Sequence, residues 1–205
     1  FTGSIPASLL AAPALRLLDV ADNRLSGSIS APKAAPAAAA AATKPAAAAV
    51  TSLKYFVARG NKLTGTIPSS LATAPNLQTL DLRDNFLTAL PSGFNSLEAL
   101  ENLYLSGNLL AALHPVVFEL DLKLLHVARN LLQTVPAEIG ALSWSLSEIS
   151  LAYNPLGSLS KHFCELELLS NVNLAHAGLT GPLPLCLGQL TNLQRLDLSH
   201  NAVFF

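Results

Sequence analysis

The chain has 205 residues and a net charge of −1, so nothing in its electrostatics points to nucleic acid or anionic lipid as a partner. Apolar residues make up 51% and charged residues only 12%, roughly half the usual charged share, a balance suited to one long continuous core. The longest aliphatic run, residues 37–42, is far short of the roughly 20 residues that span a bilayer, so direct membrane insertion of this segment is not expected.

In chain order, one eleven-residue pattern returns again and again. It reads LRLLDVADNRL (15–25), LKYFVARGNKL (53–63), LQTLDLRDNFL (77–87), LENLYLSGNLL (100–110), LKLLHVARNLL (122–132), LSEISLAYNPL (146–156), LSNVNLAHAGL (169–179) and LQRLDLSHNAV (193–203). The asparagine position falls at 23, 61, 85, 108, 130, 154, 177 and 201. Successive steps are 38, 24, 23, 22, 24, 23 and 24 residues, so the first step carries an insertion of about 14. A period this regular is the signature of a stack of supersecondary units. There is no methionine, Phe1 begins inside a unit and the last residues stop inside another. The expected organisation is therefore one solenoid fragment over 1–205, about eight repeats with both caps missing.

Within a unit, the second and third leucines of LxxLxLxxN are two residues apart, as on one face of a strand. They point into the core, and a turn follows, which asparagine suits because its side chain both donates and accepts. Stacked asparagines can satisfy backbone groups buried between successive turns. Ala177 breaks this ladder, an omission expected to cost about 1–3 kcal/mol. Return segments carry proline at Ile5-Pro6, Ile67-Pro68, Leu90-Pro91, Val135-Pro136 and Leu183-Pro184, so they are not expected to pair as strands. Each buried leucine is worth roughly 1.5–3 kcal/mol, which makes the leucines scaffold rather than site. Residues 30–50, mostly alanine with Pro32, Pro36 and Pro45, read as a low-complexity insertion loop extruded between the first two strands.

The motifs FTGSIP (1–6), LTGTIP (63–68) and LTGPLP (179–184) resemble the plant-specific class of the leucine-rich-repeat family, whose signature is LxGxIP. The segments LTALP (87–91), LAALHP (110–115) and LQTVP (132–136) are similar to its 23-residue class. The resemblance implies an α/β fold: a right-handed horseshoe with a parallel β-sheet on its concave face and few or no long helices. It specifies function poorly, because the fold carries many.

In such a fold the outward strand positions form the candidate binding surface, here positions 2, 3, 5, 7 and 8 of each unit. All three tyrosines fall there (Tyr55, Tyr104, Tyr153), as do Arg16, Arg59, Arg83, Arg129 and Arg195 and three histidines (His126, His176, His200). Tyrosine and arginine dominate binding hot spots. With Asp81 and Asn173 added, Tyr55, Arg59, Asp81, Arg83, Tyr104, His126, Arg129, Tyr153, Asn173, His176, Arg195 and His200 are the candidate ligand contacts. Arg59 and Arg83 share a position in adjacent units and could clamp an anion, but Asp81 and Asp84 are near enough to neutralise them, and a surface charge lattice is the expectation.

Other chemistry is thin. His176 and His200 are stacked neighbours, but an open face with few ligands does not make a metal site, and no metal or cofactor is expected. Ser199, His176 and Asp197 lack an oxyanion hole and a pocket, so an enzyme is not expected. Cys164 and Cys186 lie on the return side of neighbouring units, two positions out of register. That offset makes a disulfide marginal, and two unpaired cysteines are the expectation. Trp144, on the approach to the sixth strand, is expected to pack over an irregularity in the spacing there rather than to contact a ligand. The reading is a protein- or peptide-recognition module of a larger receptor-like or adaptor protein. A structural scaffold held in a multi-protein assembly is the alternative. By resemblance it is extracellular or membrane-tethered, with a cytoplasmic location as the alternative. No Asn-x-Ser/Thr acceptor occurs, which the repeat itself explains by forcing an apolar residue two positions after most of these asparagines.

Overall fold

The computed structural model describes residues 1–10, 12–29, 52–67, 71 and 74–204. The insertion read over 30–50, and Pro68 of the second LxGxIP motif, lie outside the described residues.

Each copy of the pattern contributes a three-residue strand, and among the described residues eight such strands form one parallel sheet. They are Leu17–Asp19, Tyr55–Val57, Thr79–Asp81, Asn102–Tyr104, Leu124–His126, Glu148–Ser150, Asn171–Asn173 and Arg195–Asp197, paired in sequence order without a register shift. The order follows from the chemistry of each unit. The central residue of a strand faces inward; Phe56, Leu80, Leu103 and Leu125 are fully buried, whereas the residues on either side face out. Because every unit repeats the alternation, the buried residues of one strand meet those of the next and form a single core along the stack.

Opposite the sheet the chain returns through 3₁₀ turns at Phe94–Ser96, Pro115–Glu119, Ala137–Trp144, Lys161–Glu165 and Leu185–Gln189. The one α-helix among the described residues, Ala7–Leu10, is a single turn. No helix among them is long and apolar enough to cross a membrane.

Three expectations change. First, the return segments do pair. Thr2–Gly3, Arg24–Gly27, Lys62–Thr66 and Phe86–Ala89 form a second parallel sheet, and Thr180–Pro182 pairs with Ala202–Phe204. The LxGxIP prolines Pro6 and Pro184 sit beyond the paired residues, so their missing N–H is not required. Second, Trp144 does not pack inward. It ends the eight-residue 3₁₀ stretch and is 88% exposed, while Leu142 and Leu146 take the core positions.

Third, Cys164 and Cys186 form a disulfide across adjacent return segments, with their Cα atoms 5.6 Å apart. Both cysteines lie in 3₁₀ turns, where a two-residue offset amounts to only about 4 Å of rise, and that brings them within reach.

The asparagine ladder is realised in detail. Asn85 accepts from the Leu63 N–H through Oδ1 and donates through Nδ2 to the carbonyls of Ala58, Leu82 and Arg83. Asn61, Asn108, Asn130, Asn154 and Asn201 repeat the arrangement. The gap at Ala177 is closed by the backbone. The Leu156 N–H, which an asparagine at 177 would have accepted, donates instead to the Ala177 carbonyl at 2.9 Å. Gly178 follows at φ 63°, a left-handed conformation that glycine adopts without cost. The carbonyls of Leu151 and Leu174 keep a donor from Asn154 and Asn201. The expected penalty of a missing ladder residue is thereby largely avoided.

Candidate functional site

The sheet sorts the outward residues into columns. One column runs Leu17, Tyr55, Thr79, Asn102, Leu124, Glu148, Asn171, Arg195. The next runs Asp19, Val57, Asp81, Tyr104, His126, Ser150, Asn173, Asp197. The residue before each ladder position is not on a strand. At Asp22, Gly60, Asp84, Gly107, Arg129, Tyr153, His176 and His200, φ lies between 52° and 70°. The sequence reading placed Arg129, Tyr153, His176 and His200 on the strand face; they form a rim row in left-handed turns beside it. Four bulky residues in this conformation are unusual, since L-residues there cost roughly 1–2 kcal/mol each.

Side chains link consecutive units into two tracks. The first starts at Asp81, which is buried and takes two bonds from Arg83, Nε to Oδ1 at 2.9 Å and Nη2 to Oδ2 at 2.6 Å. This bidentate bond, the leading influence, holds the Arg83 guanidinium above its ordinary pKa. Arg83 lies 4.9 Å from the Tyr104 ring centroid, and Tyr104 meets the edge of His126 at 5.3 Å. His126 Nε2 then donates to Glu148 Oε1 at 2.8 Å. The track thus crosses four strands and fixes each side chain by the one before it. It opens onto a hollow of about 370 Å³ bounded by His126, Glu148, Ser150, Asn171, Asn173 and Arg195.

The second track is the rim row. Arg129 lies 4.9 Å from the Tyr153 ring, Tyr153 stacks on His176 at 4.5 Å, and His176 stacks on His200 at 4.0 Å with only 9° between planes. No group of three or more metal-ligating side chains exists among the described residues, and the two imidazoles face each other flat. Ser199 donates to Asp197 at 2.7 Å rather than to a histidine, so the serine, histidine and aspartate do not form a relay. Those bonds from the Ser199 hydroxyl and amide hold the Asp197 carboxyl below its ordinary range.

The arginine pair belongs to a lattice of surface charges, each guanidinium beside a carboxylate. Arg83 is committed to Asp81, and Arg59 lies 3.6 Å from Asp22. Tyr55 stands at 41% exposure, away from both tracks. Asn173 and Arg195 line the hollow, together with Glu148, Ser150 and Asn171, which the sequence reading passed over. Their column position was readable, but small polar residues carried no hot-spot signal. Asp81 enters the site as the anchor of Arg83, not as a free carboxylate.

This arrangement of strands, ladder and return turns has known counterparts. A family model described as leucine rich repeat matches residues 51–110. Over those residues the chain is similar to the leucine-rich-repeat family. Toll-like receptor 9 of Mus musculus is 34% identical over 109 residues, 51% of this chain and 11% of that receptor. The solved structure of PEPR1 with AtPEP1 is similar at 27% identity and a TM-score of 0.80, over 98% of this chain and 27% of that one. The ectodomain of the Arabidopsis receptor kinase HAESA, in complex with an extended IDA peptide hormone, is 26% identical with a TM-score of 0.70, over 98% of this chain and 37% of that one. The chain therefore spans about a tenth of the curated relative and between a quarter and two fifths of these two solved chains.

Proposed function

We propose that this leucine-rich-repeat segment is a recognition module that holds a peptide or an extended protein segment on its concave face, as part of a larger receptor-like protein. The observation that carries this reading is the first track, Asp81–Arg83–Tyr104–His126–Glu148. Each side chain is fixed in advance by its neighbour, so a ligand meets a surface whose ordering cost is already met. The HAESA ectodomain, similar to the chain, is solved with a peptide hormone, which supports the same role here. The disulfide supports an extracellular or membrane-tethered setting, since such bonds persist where the surroundings are oxidising.

Peptides selected by display on the intact chain provide the test. The triple substitution Tyr104→Ala, His126→Ala, Arg129→Ala is expected to abolish their binding while far-UV circular dichroism stays unchanged. Unaltered affinity in a folded triple variant would sink the reading as placed.

A further inference from the structure

The hollow beside His126 has a definite chemical polarity. Glu148 stands on one side and Arg195 on the other, with Asn171 between them in the same column. The His126 ring orients Glu148 through Oε1 alone, and Oε2 has no partner among the described residues. Arg195 makes no ion pair among the described residues, and the nearest carboxylate on its own strand, Asp197, is engaged by Ser199. The carboxamide of Asn171 and the hydroxyl of Ser150 bond to nothing within the described chain, and Asn173 uses only its oxygen, toward the Ala175 N–H.

The spacing selects a ligand conformation. Neighbouring strands are about 4.8 Å apart, so Glu148 and Arg195, two strands apart in register, stand about 9.6 Å apart at their backbones. A fully extended peptide laid across the strands repeats a side-chain direction about every 6.8 Å, which does not match. A polyproline II segment repeats it every third residue, about 9.3 Å, which does. That helix also leaves its N–H and C=O groups unpaired, and a primary amide such as Asn171 offers the complementary donor and acceptor. We infer that the hollow is a subsite for a polyproline II segment carrying an acidic and a basic side chain three residues apart. The acidic group meets Arg195, the basic group meets Glu148, and the intervening main chain is read by Asn171 and Asn173. This rests on the concave-face reading above and narrows it to a ligand class.

The experiment is selection of random twelve-residue phage-displayed peptides on the full 205-residue chain, followed by affinity measurement on variants. Enriched peptides are expected to be proline-rich, with Asp or Glu and Lys or Arg three positions apart in one fixed order. Their affinity should fall about tenfold or more in Glu148→Gln, in Arg195→Glu and in the Asn171→Ala, Asn173→Ala pair, each checked for fold by circular dichroism. Exchanging the charges, Glu148→Arg with Arg195→Glu, should invert the preferred order. Peptides that lack the charged pair, and depend on Tyr104 and Arg129 but not on Glu148 and Arg195, would overturn the inference and leave the concave-face reading standing. No enrichment, or peptides indifferent to every one of these substitutions, would overturn both.

Discussion

Replacing Asn130 by alanine removes four hydrogen bonds at once: from the Leu110 N–H at 3.0 Å, and to the carbonyls of Leu105, Val127 and Ala128 at 3.0, 3.0 and 3.2 Å. They are not of equal consequence. The Leu105 carbonyl keeps a donor from Asn108, and the Val127 carbonyl keeps one from Asn154. The Leu110 N–H, in a fully buried residue, has Asn130 as its acceptor and gains no replacement. An unsatisfied buried donor costs about 1–3 kcal/mol, so Asn130→Ala should lose about 2 kcal/mol. For a chain of this size that corresponds to a fall in Tm of roughly 4–8 °C. Guanidinium unfolding followed by circular dichroism gives the free energy, and hydrogen exchange locates it. The Leu110 amide should lose protection, while that of Leu87, held by Asn108, should not. The reverse change, Ala177→Asn, should add less than about 0.5 kcal/mol, because the Leu156 N–H is already bonded to the Ala177 carbonyl. A loss below about 0.5 kcal/mol in Asn130→Ala, or a gain of about 2 kcal/mol in Ala177→Asn, would refute the account of the ladder.

Gly178→Ala should cost about 1–2 kcal/mol by denaturant titration, because its φ of 63° is unfavourable for an L side chain even though no neighbouring atom approaches closer than 3.6 Å. Cys164→Ser opens a cross-link between residues 22 apart and should lower stability by about 3 kcal/mol, with a matching loss when dithiothreitol is added to the parent chain but not to the variant. Ser199→Ala should raise the Asp197 carboxyl toward its ordinary range, measured by NMR titration. The sign follows from the depressed value. The Ser199 contacts favour the folded state above the carboxylate's unfolded pKa, and that contribution is lost as pH falls through the lower folded pKa. In Ser199→Ala this loss should begin at higher pH.

The sequence by itself determined the solenoid. Apolar residues two apart, followed three later by an asparagine and repeated every 22–24 residues, leave one arrangement in which every unit buries its face. The same pattern marked which residues face outward, and so brought Tyr104, His126 and Arg195 into view. Local pattern could not say how outward residues meet across units, because that depends on side-chain reach between strands. Asp81 looked like a ligand contact, but its carboxylate is spent on Arg83. Arg129, Tyr153, His176 and His200 looked like strand residues, but the turn before the ladder places them in a stacked row at the rim. Two cysteines out of step in sequence are bonded, because 3₁₀ geometry shortens the offset that an extended chain would have kept. A missing asparagine was visible at Ala177; that a glycine's left-handed turn lets a backbone carbonyl take its place was decided only by the packed neighbours.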